Sequence, residues 1–230
     1  MKYKKVISGI FIERPNRFIA KVDINGKTET VHVKNTGRCR ELLVPGFTVY
    51  LADEKSKTRK TRYDLICAEK KSGDKSFLIN LDSQAPNAAA EEWLRNGGLF
   101  SGNAVIKREV TYKESRFDFY IEDGEKKIFL EVKGVTLENS GVVSFPDAPT
   151  ERGIKHINEL IDSVKNGYEA YILFVVQMKS PDYFTASDIN HPEFGKALRR
   201  AEKCGVHIIA VDCLVKPDEL TIDNRVKVNL

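Results

Sequence analysis

Short apolar runs separated by polar breaks fill the first third of the chain, at 6–12, 18–24, 30–33, 47–51, 63–68 and 77–81. Runs of this length, rich in Val, Ile, Phe and Tyr, predict strands. Asn25-Gly26 falls between two of them and signals a hairpin, because both central residues of a tight primed turn need positive φ. Pro45-Gly46 marks another boundary. Five or six strands within about 80 residues predict a small closed or nearly closed β-barrel, with a short helix expected at 37–43. Beyond residue 82 the texture changes. A helix is predicted over 87–95, capped by Asn87 and stopped at Gly97-Gly98. Strands follow at 104–112, 116–121 and 128–135. Ile154, Ile157, Leu160, Ile161 and Val164 then recur at helical spacing, with Gly167 as the stop. Residues 171–178 are almost wholly apolar, as in a strand covered on both faces. A helix over 193–203 and a buried strand over 206–211 complete the pattern. This order predicts an all-β domain at 1–82 and an α/β domain with a mixed sheet at 83–230.

Composition narrows the class. Of 230 residues, 41% are hydrophobic and 30% charged, enough apolar material for a core and too mixed in charge for a disordered tail protein. No apolar run approaches the roughly 18–20 residues of a membrane helix. The charged N-terminus lacks the apolar stretch of a signal peptide. Cys39, Cys67, Cys204 and Cys213 form no CxxC pair, so reduced thiols in a cytoplasmic protein are expected. Charge is distributed unevenly: residues 1–82 hold 18 Lys and Arg against 10 Asp and Glu, while the remainder holds 19 against 23. Such asymmetry points to an anionic partner or to one basic solvated face.

A basic barrel is similar to the OB fold, whose groove often takes single-stranded nucleic acid. Lys55, Lys57, Arg59, Lys60 and Arg62 form the densest basic run. Arg38 and Arg40 follow Asn35-Thr36-Gly37, a turn whose amides could cradle a phosphate beside the two guanidinium groups. The alternative is an ordinary turn followed by a solvated loop.

The second half carries the candidate chemistry. Alternation along a strand puts Glu131 and Lys133 on one face and Leu130 and Val132 on the other. Asp118, on the preceding strand, is expected beside Arg116 and Tyr120, facing away from Phe117 and Phe119. A hairpin would bring Asp118 and Glu131 together. Two adjacent carboxylates favour a divalent cation, Mg²⁺ or Mn²⁺, which relieves their repulsion. Lys133 could then orient water and offset charge on a phosphate. A solvent-facing strand would show the same alternation without any such role. Arg152, Lys155 and His156 open the long helix, where an anion would meet free amides and the positive dipole end.

These residues resemble a known family. Asp118…Glu131-Val132-Lys133 on this order of elements resembles the PD-(D/E)xK nucleases. Over essentially the full length, through Asn35-Thr36-Gly37, Ser115–Phe119, Glu131–Leu137 and Phe145–His156, the chain resembles the sugar fermentation stimulation protein (SfsA) family. The resemblance implies an N-terminal OB-like barrel, a restriction-endonuclease-like C-terminal domain and DNA binding. It implies Asp118 and Glu131 as metal ligands, Lys133 as the catalytic lysine and Glu92 as a further acidic ligand. Glu109 also matches an acidic position. Pro146-Asp147 follows Glu131 and so cannot be the motif's upstream aspartate.

Two functions remain: a divalent-metal-dependent nuclease acting on phosphodiester bonds, or a DNA-binding regulator on the same scaffold without cleavage. Asn35, Thr36, Arg38, Arg40, Arg59, Lys60, Arg62, Arg152, Lys155 and His156 are the candidate nucleic-acid contacts. No GxxxxGK[ST] or GxGxxG loop points to a nucleotide-binding enzyme.

Overall fold

Strands β1 (Val6–Asn16), β2 (Ile19–Ile24), β3 (Lys27–Val33), β4 (Thr48–Asp53), β5 (Tyr63–Ser72) and β6 (Lys75–Asn80) build the N-terminal half. The computed structural model describes residues 1–35, 37–55, 59–72 and 75–230, and of Ser72 and Lys75 the backbone alone. Thr36 and Lys57 therefore lie outside the described residues. The sheet runs β3-β2-β1-β4-β5-β6, and a parallel pairing of β3 with β5 closes five strands into an OB barrel. The Asn25-Gly26 turn joins β2 to β3 with φ of 54° and 82°, the left-handed pair the tight turn requires.

The helix expected at 37–43 is a single turn, in which the Cys39 carbonyl accepts from the amides of Leu42 and Leu43. Arg14 explains why. Its guanidinium takes the carbonyls of Gly37 and Arg38, which a helix would need, together with those of Arg17 and Asn35, all at 2.7–2.8 Å. Cys39, Leu42 and Leu43 are left to fill the barrel core.

Helix α1 (Ala85–Arg95) begins two residues earlier than expected, after Gln84, with Pro86 in its first turn. Asn87 is thus a helix residue and not the cap. The main sheet follows, from β7 (Val105–Tyr112), β8 (Ser115–Asp123), β9 (Lys126–Val135), β12 (Glu169–Val176), β14 (His207–Lys216) and β15 (Glu219–Val226), in the order β15-β14-β12-β9-β8-β7. β9, β12 and β14 are parallel, and the other pairs are antiparallel. α1 covers one face through Ala85, Ala89, Ala90 and Leu94. α2 (Glu151–Lys165) and α3 (Pro192–Lys203) cover the other through Ile157, Leu160, Ile161, Phe194 and Leu198. β10 (Leu137–Asn139), β11 (Val142–Phe145) and β13 (Tyr183–Ala186) form a small sheet that the apolar pattern does not disclose, nor does it disclose β15. These strands are short or rich in polar residues. Among the described residues, no helix is long and apolar enough to cross a membrane.

Barrel and sheet share one core, in which Leu65, Ile79 and Leu81 join the same packed cluster as Val135 and Val143. The seam is polar where the chain crosses it. Gln177, 2% exposed, donates through Nε2 to the Asn80 carbonyl, Asn80 Oδ1 and the Asp82 carbonyl at 3.0–3.1 Å. Its own carbonyl accepts from the Asn80 amide at 2.9 Å. Truncation removes three bonds across the seam, although Asn80 Oδ1 keeps the Asp82 amide and the Asp82 carbonyl keeps the Ala85 amide, so Gln177→Ala is expected to lower the unfolding free energy by about 1–2 kcal/mol, measured by urea denaturation. A loss below about 0.5 kcal/mol, the usual range for surface positions, would show that the seam does not depend on this side chain.

Candidate active site

The β8–β9 ladder ends at Phe119–Leu130. Beyond that point Asp118 substitutes for a strand partner: its Oδ2 accepts from the Val132 amide at 2.7 Å. Oδ1 accepts from Asn87 Nδ2 on α1, also at 2.7 Å. The strand changes face here. Phe117 packs with Phe129 and His156 on the α2 side, whereas Phe119 joins the core beneath α1. The regular alternation expected across Asp118 therefore gives way to a break with Asp118 at its centre.

Glu131 and Lys133 share a face of β9, as alternation requires. Glu131 is 4% exposed. Its Oε1 accepts from Lys133 Nζ at 2.7 Å and from His156 Nδ1 at 2.5 Å. The imidazole role follows from its other neighbour. Arg152 Nε can only donate and lies 3.4 Å from His156 Nε2, so Nε2 accepts and Nδ1 carries the proton given to Glu131. Oε2 of Glu131 is buried with no hydrogen-bond partner.

The carboxylates titrate as an unequal pair. Burial and the neighbouring Glu131 charge push Asp118 up to about 6, against the pull of the Val132 amide, Lys133 and Asn87. Burial alone would raise Glu131, but Lys133 and His156 hold it below the ordinary glutamate range. A proton shared by the pair thus resides on Asp118. A dry carboxylate oxygen without a donor, beside a second carboxylate driven toward protonation, suits a hard cation with oxygen ligands. Among the described residues no cluster of three or more His, Cys, Asp or Glu could hold an ion alone. A cation here would rely on Asp118 and Glu131, with water or substrate oxygens for the rest, a sparse protein contribution that Mg²⁺ accepts.

Other expected site residues lie elsewhere. Glu92 points away from the pair and binds the N-terminal ammonium of Met1 at 2.6 Å. It stands five residues after Asn87, about 140° around the helix, so one helix cannot present both to Asp118. Glu109, at φ 54°, is exposed and pairs with Arg116. His156 is 5% exposed and serves Glu131 instead of facing a nucleic acid. Lys155 pairs with Glu114 at 3.0 Å, while Arg152 is exposed beside His156. In the basic run, Arg59 is bound to the buried Asp64 and Arg62 grips Asp53 through two bonds of 2.8–2.9 Å. Lys60 is exposed. Arg38 and Arg40, also exposed, line a groove of about 290 Å³ together with Arg14, Asn16, Arg17, Gly37 and Leu43. Asn35 accepts the Gly37 amide at 2.7 Å and shapes that turn.

Asn87 and Arg17 are contributors the sequence reading did not single out. So is His191, whose Nδ1 accepts from the Thr150 amide at 3.2 Å beside the start of α2. The Thr150 hydroxyl caps that helix by accepting from the Gly153 amide.

Comparison with known proteins gives consistent matches along the whole chain. Residues 84–219 match the model of the sugar fermentation stimulation protein RE domain, and residues 12–79 match that of the SfsA N-terminal OB domain. A sugar fermentation stimulation protein homolog of Ruminiclostridium cellulolyticum is 55% identical over 230 residues, and one of Clostridium beijerinckii is 53% identical, each covering 100% of both chains. The solved structure of Pyrococcus furiosus SfsA in complex with Ca²⁺ aligns at a TM-score of 0.86 and 29% identity, covering 100% of this chain and 98% of that one.

The raised Asp118 value has a signed consequence for stability. With a folded value of about 6 above an unfolded 3.8, the folded state holds this proton more tightly. Stability therefore falls as pH rises through that interval, by on the order of 2–3 kcal/mol. In chelator, the stability difference between wild type and Asp118→Ala should shrink by that amount from pH 4 to pH 7, measured by urea denaturation at each pH. A pH-independent difference would contradict the coupled pair.

Proposed function

The chain belongs to the sugar fermentation stimulation protein family, and from that premise we propose that it is a divalent-metal-dependent nuclease acting on DNA. The observation that carries this reading is the buried Glu131 Oε2, which lacks a donor beside Asp118 while Lys133 stands 2.7 Å from Oε1. A structural carboxylate in that position would cost about 1–3 kcal/mol for nothing. The Ca²⁺ named for the Pyrococcus furiosus protein supports an oxygen-lined cation site in the family.

When bound, Mg²⁺ or Mn²⁺ supplies Lewis-acid polarisation of the phosphate and activation of water. Asp118 and Glu131 would hold it. His156 fixes the Glu131 carboxylate so that Oε2 stays open, and Asn87 steadies the Asp118 carboxylate from the first turn of α1. The Lys133 ammonium is placed to offset negative charge growing on the phosphate. Arg17, Arg38 and Arg40 offer unpaired guanidinium groups to the nucleic-acid backbone, whereas Arg59 and Arg62 already serve aspartates.

One observation favours the second reading, a DNA-binding regulator that does not cleave: Glu92, the third acidic ligand the resemblance implies, is bound to the N-terminus. Cleavage assays on single- and double-stranded DNA with Mg²⁺ or Mn²⁺ separate the two. Asp118→Asn and Glu131→Gln are expected to abolish hydrolysis, and Lys133→Ala to slow it by on the order of 10²–10³. Wild-type inertness on every substrate, with DNA binding intact, would give the regulator the lead.

Binding has its own test. Arg38→Ala with Arg40→Ala should lower the slope of log affinity against log salt by about 0.7–0.9 for each phosphate no longer neutralised. Arg59→Ala should change that slope little and instead destabilise the fold, because it leaves the buried Asp64 with only His32 at 3.2 Å and Lys34 at 4.0 Å. The reverse pattern in salt titrations would place the phosphate surface on the 55–62 run.

A further inference from the structure

A second cleft, of about 170 Å³, opens between the barrel and the C-terminal ends of β9 and β12, where open α/β sheets commonly bind ligands. Asn35 and Gly37 line it from the barrel, and Thr136, Ser144 and Asp147 from the other half. Gly37 also lines the Arg17/Arg38/Arg40 groove. Groove and cleft therefore adjoin at this residue.

Asn35, Ser83 and Gln177 are spent on the fold, whereas Thr136, Ser144 and Asp147 face the cleft with capacity to spare. Thr136 is only 9% exposed, yet no hydrogen bond among the described residues engages its hydroxyl, nor that of Ser144. Asp147 forms no ion pair among the described residues; its carboxylate meets its own amide and that of Ala148 and lies within the field of the Arg14 and Arg38 guanidinium groups. The barrel backbone presses against it: a Cβ on Gly37 would come within 2.1 Å of Asp147 Oδ2. The site is thus built around a half-buried acceptor that would repel a phosphate.

We infer that this cleft receives one unpaired guanine of a single-stranded substrate, its N1–H and N2–H groups donating side by side to the Asp147 carboxylate. The chemistry selects that base. Adenine and cytosine place a ring-nitrogen lone pair beside the amino group, which would face a carboxylate oxygen, and thymine flanks its one N–H with carbonyls. In a duplex the guanine N1–H is already paired, so only a splayed base can offer both donors. The hydroxyls of Thr136 and Ser144 are available to the remaining polar edge. The inference rests on the nucleic-acid reading above and names the strandedness and base it prefers.

The test is fluorescence anisotropy with the full chain in chelator, so that cleavage plays no part. Three probes are labelled oligo-dT, the same strand with one central deoxyguanosine, and the same strand with deoxyinosine, which lacks the N2 amino group. Wild type should bind the guanine strand about tenfold more tightly than oligo-dT, with inosine intermediate. Asp147→Asn should erase the preference, read as the ratio of guanine-strand to oligo-dT affinity within that variant, and Thr136→Val, which leaves the carboxylate in place, should keep most of it. Thermal melts confirm that each variant folds. Equal affinity for all three strands, or a preference that survives Asp147→Asn, would overturn the inference. Loss of the preference with metal-dependent cleavage intact removes this inference alone, and a preference without any cleavage removes the nuclease alone.

Discussion

Among the described residues nothing donates to the second oxygen of the buried Glu131, and the site is organised around that shortfall. Lys133 and His156 converge on one oxygen and leave the other bare in a dry setting. Their positive and donor character keeps Glu131 ionised, which drives the neighbouring Asp118 toward protonation. Asp118 in turn terminates the β8–β9 ladder through the Val132 amide and is steadied by Asn87. Three elements, α1, α2 and the β8–β9 hairpin, therefore meet at two carboxylates whose repulsion Lys133 relieves only in part, leaving Asp118 raised. Positioning groups rigidified by packing are what a preorganised site requires.

Glu131 and Lys133 were legible because strand alternation puts them on one face, and Asp118 because a hairpin brings it near, although the alternation fails at Asp118 itself. Glu92 was not, because a helix residue's direction depends on phase. The early start of α1 turns Asn87 toward Asp118, and Glu92 necessarily goes elsewhere. His156 carried a signal that its basic neighbours obscured: it stands four residues before Leu160, on the buried stripe of α2. The fold shows the same division. Long strands and amphipathic helices were readable, whereas β10, β11 and β13 are three or four residues long and β15 alternates weakly.

Charge runs proved the least transferable signal. Arg59 and Arg62 read as a solvated phosphate grip, yet Asp64 and Asp53 occupy them, partners brought near by the folding of β4 and β5. Arg14 commits four bonds to backbone carbonyls. Among the described residues Arg17, Arg38 and Arg40 form no ion pair, on the barrel wall that Gly37 shares with the cleft between the two halves. The Gln177 bridge and the shared core fix barrel and sheet against each other, so the groove and the carboxylate pair keep one relative placement.

The central claim is that Glu131 Oε2 is kept open for a cation shared with Asp118. Crystals soaked in Mn²⁺ and measured at the manganese edge test it directly. The account predicts an anomalous peak about 2.1 Å from oxygens of both Asp118 and Glu131, lost in Glu131→Gln crystals treated identically. A peak confined to other carboxylates, or none at a concentration that supports cleavage, would contradict it.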